Sequence, residues 1–419
     1  MALIRQVHPE AEIQQVRQIL QANASNAIPE ETRRNFAVQV ATPIIGESAG
    51  PIWIKRAALY PYNKEMHALV RARDLLGFEI VGVADPVGKG LVGKDAGEAI
   101  GTPALGVRIV PRLTAALENA DALILGYVDQ LGRIARRDVL GASIDAALER
   151  GLNVFSFLPV SGHIYRNLYL KAHRQGLRIY YPNILSNEVR KTIAQMGHLD
   201  AVSVPVLGVF GTSSQQGKFT VQLVLRRLLL QMGYKIGQIG TEHHAQLFGM
   251  DIAFPIGYAS PLNMPYQIYA PYLEAKKRQI NGKRPDIILV GAQSGTIPYD
   301  IHESNTHSLS TLAFLLGTKP DACILVVNSI DPDNYIHDTL NVLRVLGKAP
   351  TILLAMSDKK KHISTAYGRT RVQLRQMARG EIVHKLQYLE NKFGLPAVEI
   401  LSEQGQRRMV DTVVKYFSN

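Results

Sequence analysis

The stretch "GVFGTSSQQGKFT", residues 208–220, decides how the second half of the chain is interpreted. The pattern G-x-x-x-x-G-K-[ST] marks a phosphate-binding loop, in which backbone amides and a lysine contact phosphate groups. Gly217 and Lys218 fit this pattern. Thr212 stands where the pattern has its first glycine, and Phe219 stands where it has a hydroxyl. These two departures raise the question of what kind of phosphate site the loop forms.

The residues on either side of the loop favour a phosphate site. The apolar residues 202–211 predict a buried strand, and residues 219–233 predict an amphipathic helix. In a strand–loop–helix unit, the amides at the start of the helix point toward a bound anion. We therefore predict that the whole loop binds phosphate groups: Gly211, Thr212, Ser213, Ser214, Gln215, Gln216, Gly217, Lys218, Phe219 and Thr220.

The residue after Lys218 argues against metal-assisted phosphoryl transfer. A magnesium-dependent NTPase needs a hydroxyl at that position and a carboxylate at the end of a neighbouring strand. Phe219 has no hydroxyl, and Thr220 lies about 100° further around the helix. The loop is therefore predicted to hold a phosphate-bearing cofactor such as coenzyme A without cleaving it, and no metal site is predicted. The alternative is ATP with magnesium, with Glu242 or Asp251 supplying the carboxylate.

Strand and helix patterns alternate along most of the chain, which is typical of parallel sheets covered by helices on both faces. We predict an α/β protein with an N-terminal Rossmann-like domain followed by a P-loop NTPase-like doubly wound domain. The predicted divisions are a helical or irregular extension (1–50), the Rossmann-like domain (51–195) and the P-loop domain (196–419). The first strand is not followed by G-x-G-x-x-G, so a dinucleotide site has no support there.

Two further elements are predicted near the C-terminus. The basic run "SDKKKH" (357–362) is interpreted as a loop, and residues 369–393 as a long charged helix.

Composition limits the classes of function. The chain has 419 residues and a formal net charge of +12, which favours anionic ligands. No zinc-finger or aromatic RNA-binding signature is present, so nucleic acid is a weak option. No run of about 18 apolar residues suggests a membrane span, and the N-terminus has no apolar signal-peptide segment. Cys323, the only cysteine, lies in an apolar run. We expect a cytoplasmic homo-oligomer that acts on small molecules.

The loop "GTSSQQGKFT" (211–220) is similar to that of dethiobiotin synthetase. With a Rossmann-like region before it, the chain more closely resembles a family of two-domain P-loop proteins, formerly a domain of unknown function, that includes D-glutamate N-acetyltransferases. The resemblance covers residues 55–419, and "LVGAQSGT" (289–296) is a weaker match to the family's Glu-Gly-Gln-Gly stretch. It implies an N-acyltransferase that uses acetyl-CoA or another acyl-CoA to acylate a small amino-acid-like amine, with a place in D-amino acid metabolism.

The sequence departs from that family at three places. Ser213 replaces an acid, Val290 stands where the family has an acid, and residues 241–251 replace a Gly-Gln-Thr-Gly turn. Two other function classes therefore stay open: an ATP-dependent kinase or ligase of a small carboxylate substrate, and a nucleotide-binding protein without catalytic activity.

Candidate chemical groups follow the predicted strands, because doubly wound folds bind ligands at the carboxyl ends of their strands. Acyl transfer needs a base that deprotonates the amine. The candidate catalytic residues are Glu242, His243 and His244, and the candidate substrate-binding residues are Gln293, Ser294 and Asp251.

Overall fold

A computed structural model describes residues 53–86, 90–298, 306–366 and 369–418. All of them belong to one compact unit that spans residues 48–419. The predicted extension of residues 1–50 lies outside the described residues, and the three-part division of the chain stays a prediction.

The first half of the described chain forms a six-stranded parallel sheet with the strand order β3-β2-β1-β4-β5-β6. The order reverses between β1 and β4, which is the arrangement of a Rossmann-like fold. The strands are β1 (Arg56–Tyr60), β2 (Glu79–Ala84), β3 (Ile109–Val110), β4 (Ala122–Leu125), β5 (Asn153–Ser156) and β6 (Ile179–Tyr180). The α-helices are α1 (Lys64–Arg71), α2 (Leu113–Ala116), α3 (Asp129–Ala135), α4 (Val139–Leu148), α5 (Arg166–Arg174) and α6 (Ser186–Gln195).

The second half forms a seven-stranded parallel sheet with the order β15-β12-β11-β7-β10-β8-β9. Its strands are β7 (Val206–Gly211), β8 (Ile236–Gly240), β9 (Ile252–Ala253), β10 (Ile287–Gly291), β11 (Ala322–Val327), β12 (Thr351–Met356) and β15 (Ala397–Glu399). The α-helices are α7 (Lys218–Gln231), α8 (Tyr266–Asn281), α9 (Thr306–Thr318), α10 (Asp333–Val345), α11 (Arg379–Phe393) and α12 (Glu403–Phe417). Short 3₁₀ helices occupy Arg73–Leu75, Glu98–Ile100, Met196–His198 and Ala245–Phe248. The predicted α/β fold with two successive parallel sheets is confirmed.

Strand β7, which leads into the phosphate-binding loop, lies near the centre of the second sheet. All six of its residues are buried, as are all six of β11 beside it. A continuous apolar strand of this kind is typical of parallel sheets covered on both faces. Cys323 is buried within β11, as its apolar surroundings predict.

The C-terminal region differs from the sequence-based prediction. The run predicted as a loop and the start of the predicted helix form an antiparallel pair, β13 (Lys359–Ala366) and β14 (Arg369–Gln376). The helix begins only at Arg379. Basic residues and glutamine favour helices when they are exposed, but the alternation of apolar and polar residues over 371–375 has the period of a strand. Pairing between β13 and β14 therefore outweighed the helix propensity of residues 369–376.

The two sheets share an apolar core. One cluster of buried residues combines Tyr62 and Phe157 of the first half with Leu223, Ala245 and Phe248 of the second half. We call this contact region the seam. Across the described ranges, no helix has both the length and the apolar character needed to cross a membrane.

Candidate functional site

The loop between β7 and α7 has the backbone geometry of an anion site. Gly217 precedes the helix with a φ of 104°, a left-handed conformation that glycine adopts without strain. Helix α7 then begins at Lys218, so its first amides, which have no intrahelical partners, lie at the loop. The Lys218 ammonium donates a hydrogen bond to the Ser213 carbonyl at 2.6 Å. Ser214 and Gln215 are exposed at the rim of the loop.

A buried carboxylate braces the loop from the neighbouring strand. Asp331, which follows β11 and is 9% exposed, accepts a hydrogen bond from the Thr212 hydroxyl at 2.5 Å. The Gln216 side chain donates to Thr212 at 2.8 Å and accepts from the Ser213 amide at 2.9 Å. The Asn328 amide donates to the same Asp331 oxygen at 2.7 Å. The side chains of Thr212 and Gln216 therefore hold the loop together.

Backbone contacts fix the start of the loop. The Thr296 amide donates to the Gly211 carbonyl at 2.9 Å, and the Tyr335 hydroxyl lies 2.6 Å from the Thr212 carbonyl. A Cβ atom at Gly295 would lie 2.6 Å from that same carbonyl oxygen. Glycine at 295 therefore permits the close approach of the two segments.

Phe219 takes part in the seam instead of the loop. Its ring centroid lies 4.8 Å from that of His244 and 5.6 Å from that of Phe248. The hydroxyl that a magnesium site needs is thus replaced by an aromatic ring that packs between the two halves. Thr220 is half-buried on α7.

The turn after β8 connects the loop to the first sheet. The hydroxyl oxygen of Tyr127, which follows β4, lies 2.9 Å from His243 Nδ1. Phe157, which follows β5, stacks on His244 with a centroid distance of 5.0 Å. The Tyr180 hydroxyl of β6 donates to Gln246 at 2.6 Å. We call residues 241–246 the seam turn. Its side chains contact residues that lie at the carboxyl end of β6 or just after β4 and β5.

Glu242 is the one acidic residue of the seam turn, and its surroundings make it a weaker acid than usual. The Gln293 amide donates to it at 3.0 Å. Burial, with a smaller contribution from Glu65, raises the pKa of Glu242 to about 7, against the opposing effects of Lys64 and Lys218. Lys64 and Glu65 begin helix α1 of the first half. Glu242 is therefore influenced by the phosphate-binding loop and by the first half of the described chain.

The two histidines are buried and neutral. Burial lowers the pKa of His243 to about 4 and that of His244 to about 3. Both imidazoles therefore stay unprotonated at neutral pH and are weak proton acceptors. Of the three candidate catalytic residues, Glu242 has the pKa best suited to a general base near neutrality.

The candidate substrate-binding residues occupy two regions. Gln293 and Ser294 follow β10, and the Ser294 hydroxyl lies 2.8 Å from that of Thr311. Asp251 accepts hydrogen bonds from the Gln238 amide at 2.8 Å and from Lys283 at 2.9 Å. These bonds anchor Asp251 beside β8, and none of them reaches the phosphate-binding loop.

Potential metal ligands do not cluster in the described part of the chain. There, no group of three or more His, Cys, Asp or Glu side chains is placed to hold a metal ion. Val290, at the position of the family's acid, is buried in β10.

The comparisons with known proteins begin with a family model. Residues 193–410, more than half of the chain, match the model described as "Domain of unknown function (DUF1611_C) P-loop domain". The chain belongs to the DUF1611 family. A crystal structure of a DUF1611 family protein from Anabaena variabilis ATCC 29413 has a TM-score of 0.58 at 17% identity, over 86% of this chain and 99% of that one. The DUF1611 fold is therefore shared across both sheets.

Other solved structures match less of the fold. A nucleotide-binding protein in complex with ADP from Archaeoglobus fulgidus has a TM-score of 0.30 at 11% identity, over 56% of this chain and 93% of that one. A GTPase in apo form from Pyrococcus abyssi has a TM-score of 0.31 at 13% identity, over 52% and 99%. No curated protein matches the chain.

Sequence reasoning missed several residues that hold the loop of this DUF1611 protein. Asp331 belongs to the acidic segment "DPDN" (331–334), which looks like a solvated turn. Its position after a buried strand was the available signal, because β11 and β7 end at the same edge of the sheet. Thr296 and Tyr335 carry no comparable signal in the sequence.

Proposed function

We propose that this DUF1611 protein is an acyl-CoA-dependent N-acyltransferase that acts on a small amino-acid-like amine. The observation that carries the proposal is Glu242, a carboxylate with a pKa of about 7 whose acidity depends on both Lys218 and the first domain. A base with that pKa accepts a proton from an amine near neutral pH without being permanently ionised.

The phosphate groups of the acyl-CoA fit the loop at residues 211–220. The amides at the start of α7 and the Lys218 ammonium attract phosphate. Phe219 leaves no hydroxyl for magnesium, and phosphate binding through amides does not need one. The net charge of +12 favours such an anionic ligand.

Glu242 accepts the proton that the amine loses when it is acylated. The nitrogen–carbonyl carbon bond forms as the carbon–sulfur bond breaks. Glu242 then donates the same proton to the departing sulfur, so coenzyme A leaves as the thiol and the carboxylate is regenerated. Glu242 is close enough to the loop for Lys218 to affect its pKa. In this proposal the pantetheine arm therefore folds back from the loop, so that the thioester reaches the base. Gln293 holds Glu242 from the neighbouring strand end.

A second candidate, an ATP-dependent kinase or ligase, is favoured by Asp331. This carboxylate touches the loop from the end of β11, a position from which a carboxylate can contact a magnesium ion directly or through water. In this alternative, ATP and magnesium occupy the loop, and Asp331 supplies the carboxylate that the sequence analysis assigned to Glu242 or Asp251.

A cytoplasmic location and a homo-oligomeric state also stay predictions.

Calorimetry separates the two candidates. Acetyl-CoA, CoA, ATP and GTP are titrated into the full chain with magnesium and then with EDTA. We expect acetyl-CoA and CoA to bind equally well in both conditions. Lys218→Ala should weaken their binding by about ten- to a hundredfold, because it removes a charge-assisted contact worth roughly 1.5–3 kcal/mol. The control is Lys191→Ala, which changes an exposed lysine on α6. ATP binding that disappears in EDTA, without CoA binding, would contradict the acyltransferase. Consumption of ATP would then separate the second candidate from a nucleotide-binding protein without catalytic activity.

A further inference from the structure

His244 is surrounded by aromatic rings at the seam. It is 2% exposed, stacks on Phe157 with an interplanar angle of 18°, and has the edges of Phe219 and Phe248 nearby, with centroid distances of 4.8 and 5.7 Å. Phe157 follows β5 of the first sheet, and the other two phenylalanines come from α7 and the segment after β8. These three phenylalanines surround the imidazole, and we call the group of rings the aromatic slot.

Both ring nitrogens of His244 are buried in this slot without a hydrogen-bond partner among the described residues. A neutral imidazole carries one N–H donor and one acceptor. A buried polar group without a partner destabilises the fold, and a phenylalanine of similar size would avoid that cost. The neighbouring His243 has one such nitrogen, Nε2, whereas its Nδ1 is satisfied by Tyr127 across the seam. A ligand that supplies a partner would account for the polar atoms at position 244.

Position 244 is also adjacent to the proposed reaction groups. Glu242 lies two residues earlier in the same turn, and Phe219 directly follows Lys218. The residue that replaces the motif's hydroxyl thus forms one wall of the slot. An apolar wall next to a phosphate-binding loop suits the uncharged acyl end of a ligand whose other end carries phosphates.

Resting on the proposed function, we propose that His244 donates a hydrogen bond to the carbonyl oxygen of the thioester and that the aromatic slot holds the acyl group. In this role His244 stays neutral and transfers no proton. Its N–H stabilises the negative charge that develops on the carbonyl oxygen while Glu242 accepts the proton from the amine. A donor placed in a dry, apolar surrounding is more effective than one in water.

Three variants of the full chain test this role. His244→Phe keeps a ring and removes the donor, His244→Gln keeps an N–H donor, and His198→Gln changes an exposed histidine as the control. Loss of one such donor lowers kcat by about 10²–10³-fold. We expect that loss in His244→Phe, with CoA affinity nearly unchanged, a partial recovery in His244→Gln, and no change in His198→Gln.

A second measurement does not depend on turnover. The ¹³C resonance of acetyl-CoA labelled at the carbonyl should move downfield on binding to the wild type, as a hydrogen-bonded carbonyl does, and should not move in His244→Phe. If His244 instead binds a buried water, His244→Phe should change the melting temperature but leave kcat and the ¹³C shift of bound acetyl-CoA as in the wild type. That result would overturn this inference and leave the proposed function standing. If the wild type neither binds nor consumes acyl-CoA, the proposed function fails and the inference fails with it.

Discussion

Glu242 lies among charges of both signs. Lys64 and Lys218 favour its ionised form, whereas burial and Glu65 favour its protonated form, and the second pair prevails. A carboxylate in such a balance changes its protonation state near neutral pH. The seam turn therefore combines one group that titrates near pH 7 with two histidines that stay neutral.

Glu242→Gln is expected to remove the base while keeping the size of the side chain. We expect kcat to fall by about 10²–10⁴-fold with CoA affinity nearly intact. In the wild type, only the ionised form accepts a proton, so kcat/KM should decrease as the pH falls below about 7. The variant should lose that dependence. Rates measured between pH 5.5 and 8.5 check this, and a wild-type profile that is flat across pH 7 would exclude Glu242 as the base.

Several of the site residues could be predicted from the sequence because they follow simple rules. Lys218 and Gly217 belong to a known pattern, and Glu242 and Gln293 follow buried strands whose ends share one edge. Asp331 follows the same rule, but its acidic neighbours favoured a solvated turn. The aromatic slot was not predictable, because Phe157 and Phe219 are 62 positions apart (219 − 157) and belong to different halves of the chain, one after β5 and the other on α7. Only the packing of the two halves brings their rings to His244.

Among the elements, the phosphate-binding loop is held by its neighbours on both sides. The segment after β10 supplies Gly295 and Thr296, and the segment after β11 supplies Asp331. The central position of β7 in the sheet makes this double support possible. The helices and strands around the loop were predicted well, since apolar runs of parallel strands are long and continuous. β13 and β14 were misassigned because their sequences contain no such apolar run.

Gly295→Ala is expected to disturb the loop through its backbone. The added Cβ would lie 2.6 Å from the Thr212 carbonyl oxygen, so one of the two segments has to move. Overpacking of this kind costs about 1–3 kcal/mol, and we expect weaker CoA binding as well. Gly197→Ala, where a Cβ meets nothing within 4 Å, is the control. Calorimetry and thermal unfolding measure the two effects; equal behaviour of both variants would show that the loop tolerates the displacement.

At the scale of the molecule, the first half of the described chain packs against the candidate site. The seam turn contacts residues at or after β4, β5 and β6, close to the reversal of strand order where a Rossmann-like fold usually binds its ligand. This arrangement agrees with the missing glycine fingerprint after β1. The first half therefore contributes Tyr127, Phe157 and the start of α1 to a site centred on the second half.

Tyr127→Phe is expected to weaken the contact between the two halves. The change leaves His243 Nδ1 buried without its hydroxyl partner, which costs about 1–3 kcal/mol. We expect a lower midpoint of unfolding in urea and a lower melting temperature. Tyr416→Phe on α12, where the tyrosine is 41% exposed, is the matched control. If both variants unfold at the wild-type midpoint, the Tyr127–His243 bond contributes nothing to the seam.

The position of the seam turn has a kinetic consequence. Ligand groups that reach His244 are enclosed by rings from both halves, so they can leave only when those rings separate. Lid and domain openings on the microsecond to millisecond scale often limit turnover more than bond breaking does. In that case, the rate of product departure would depend on solvent viscosity, and a weakened seam would shorten the residence time of the product while lowering stability.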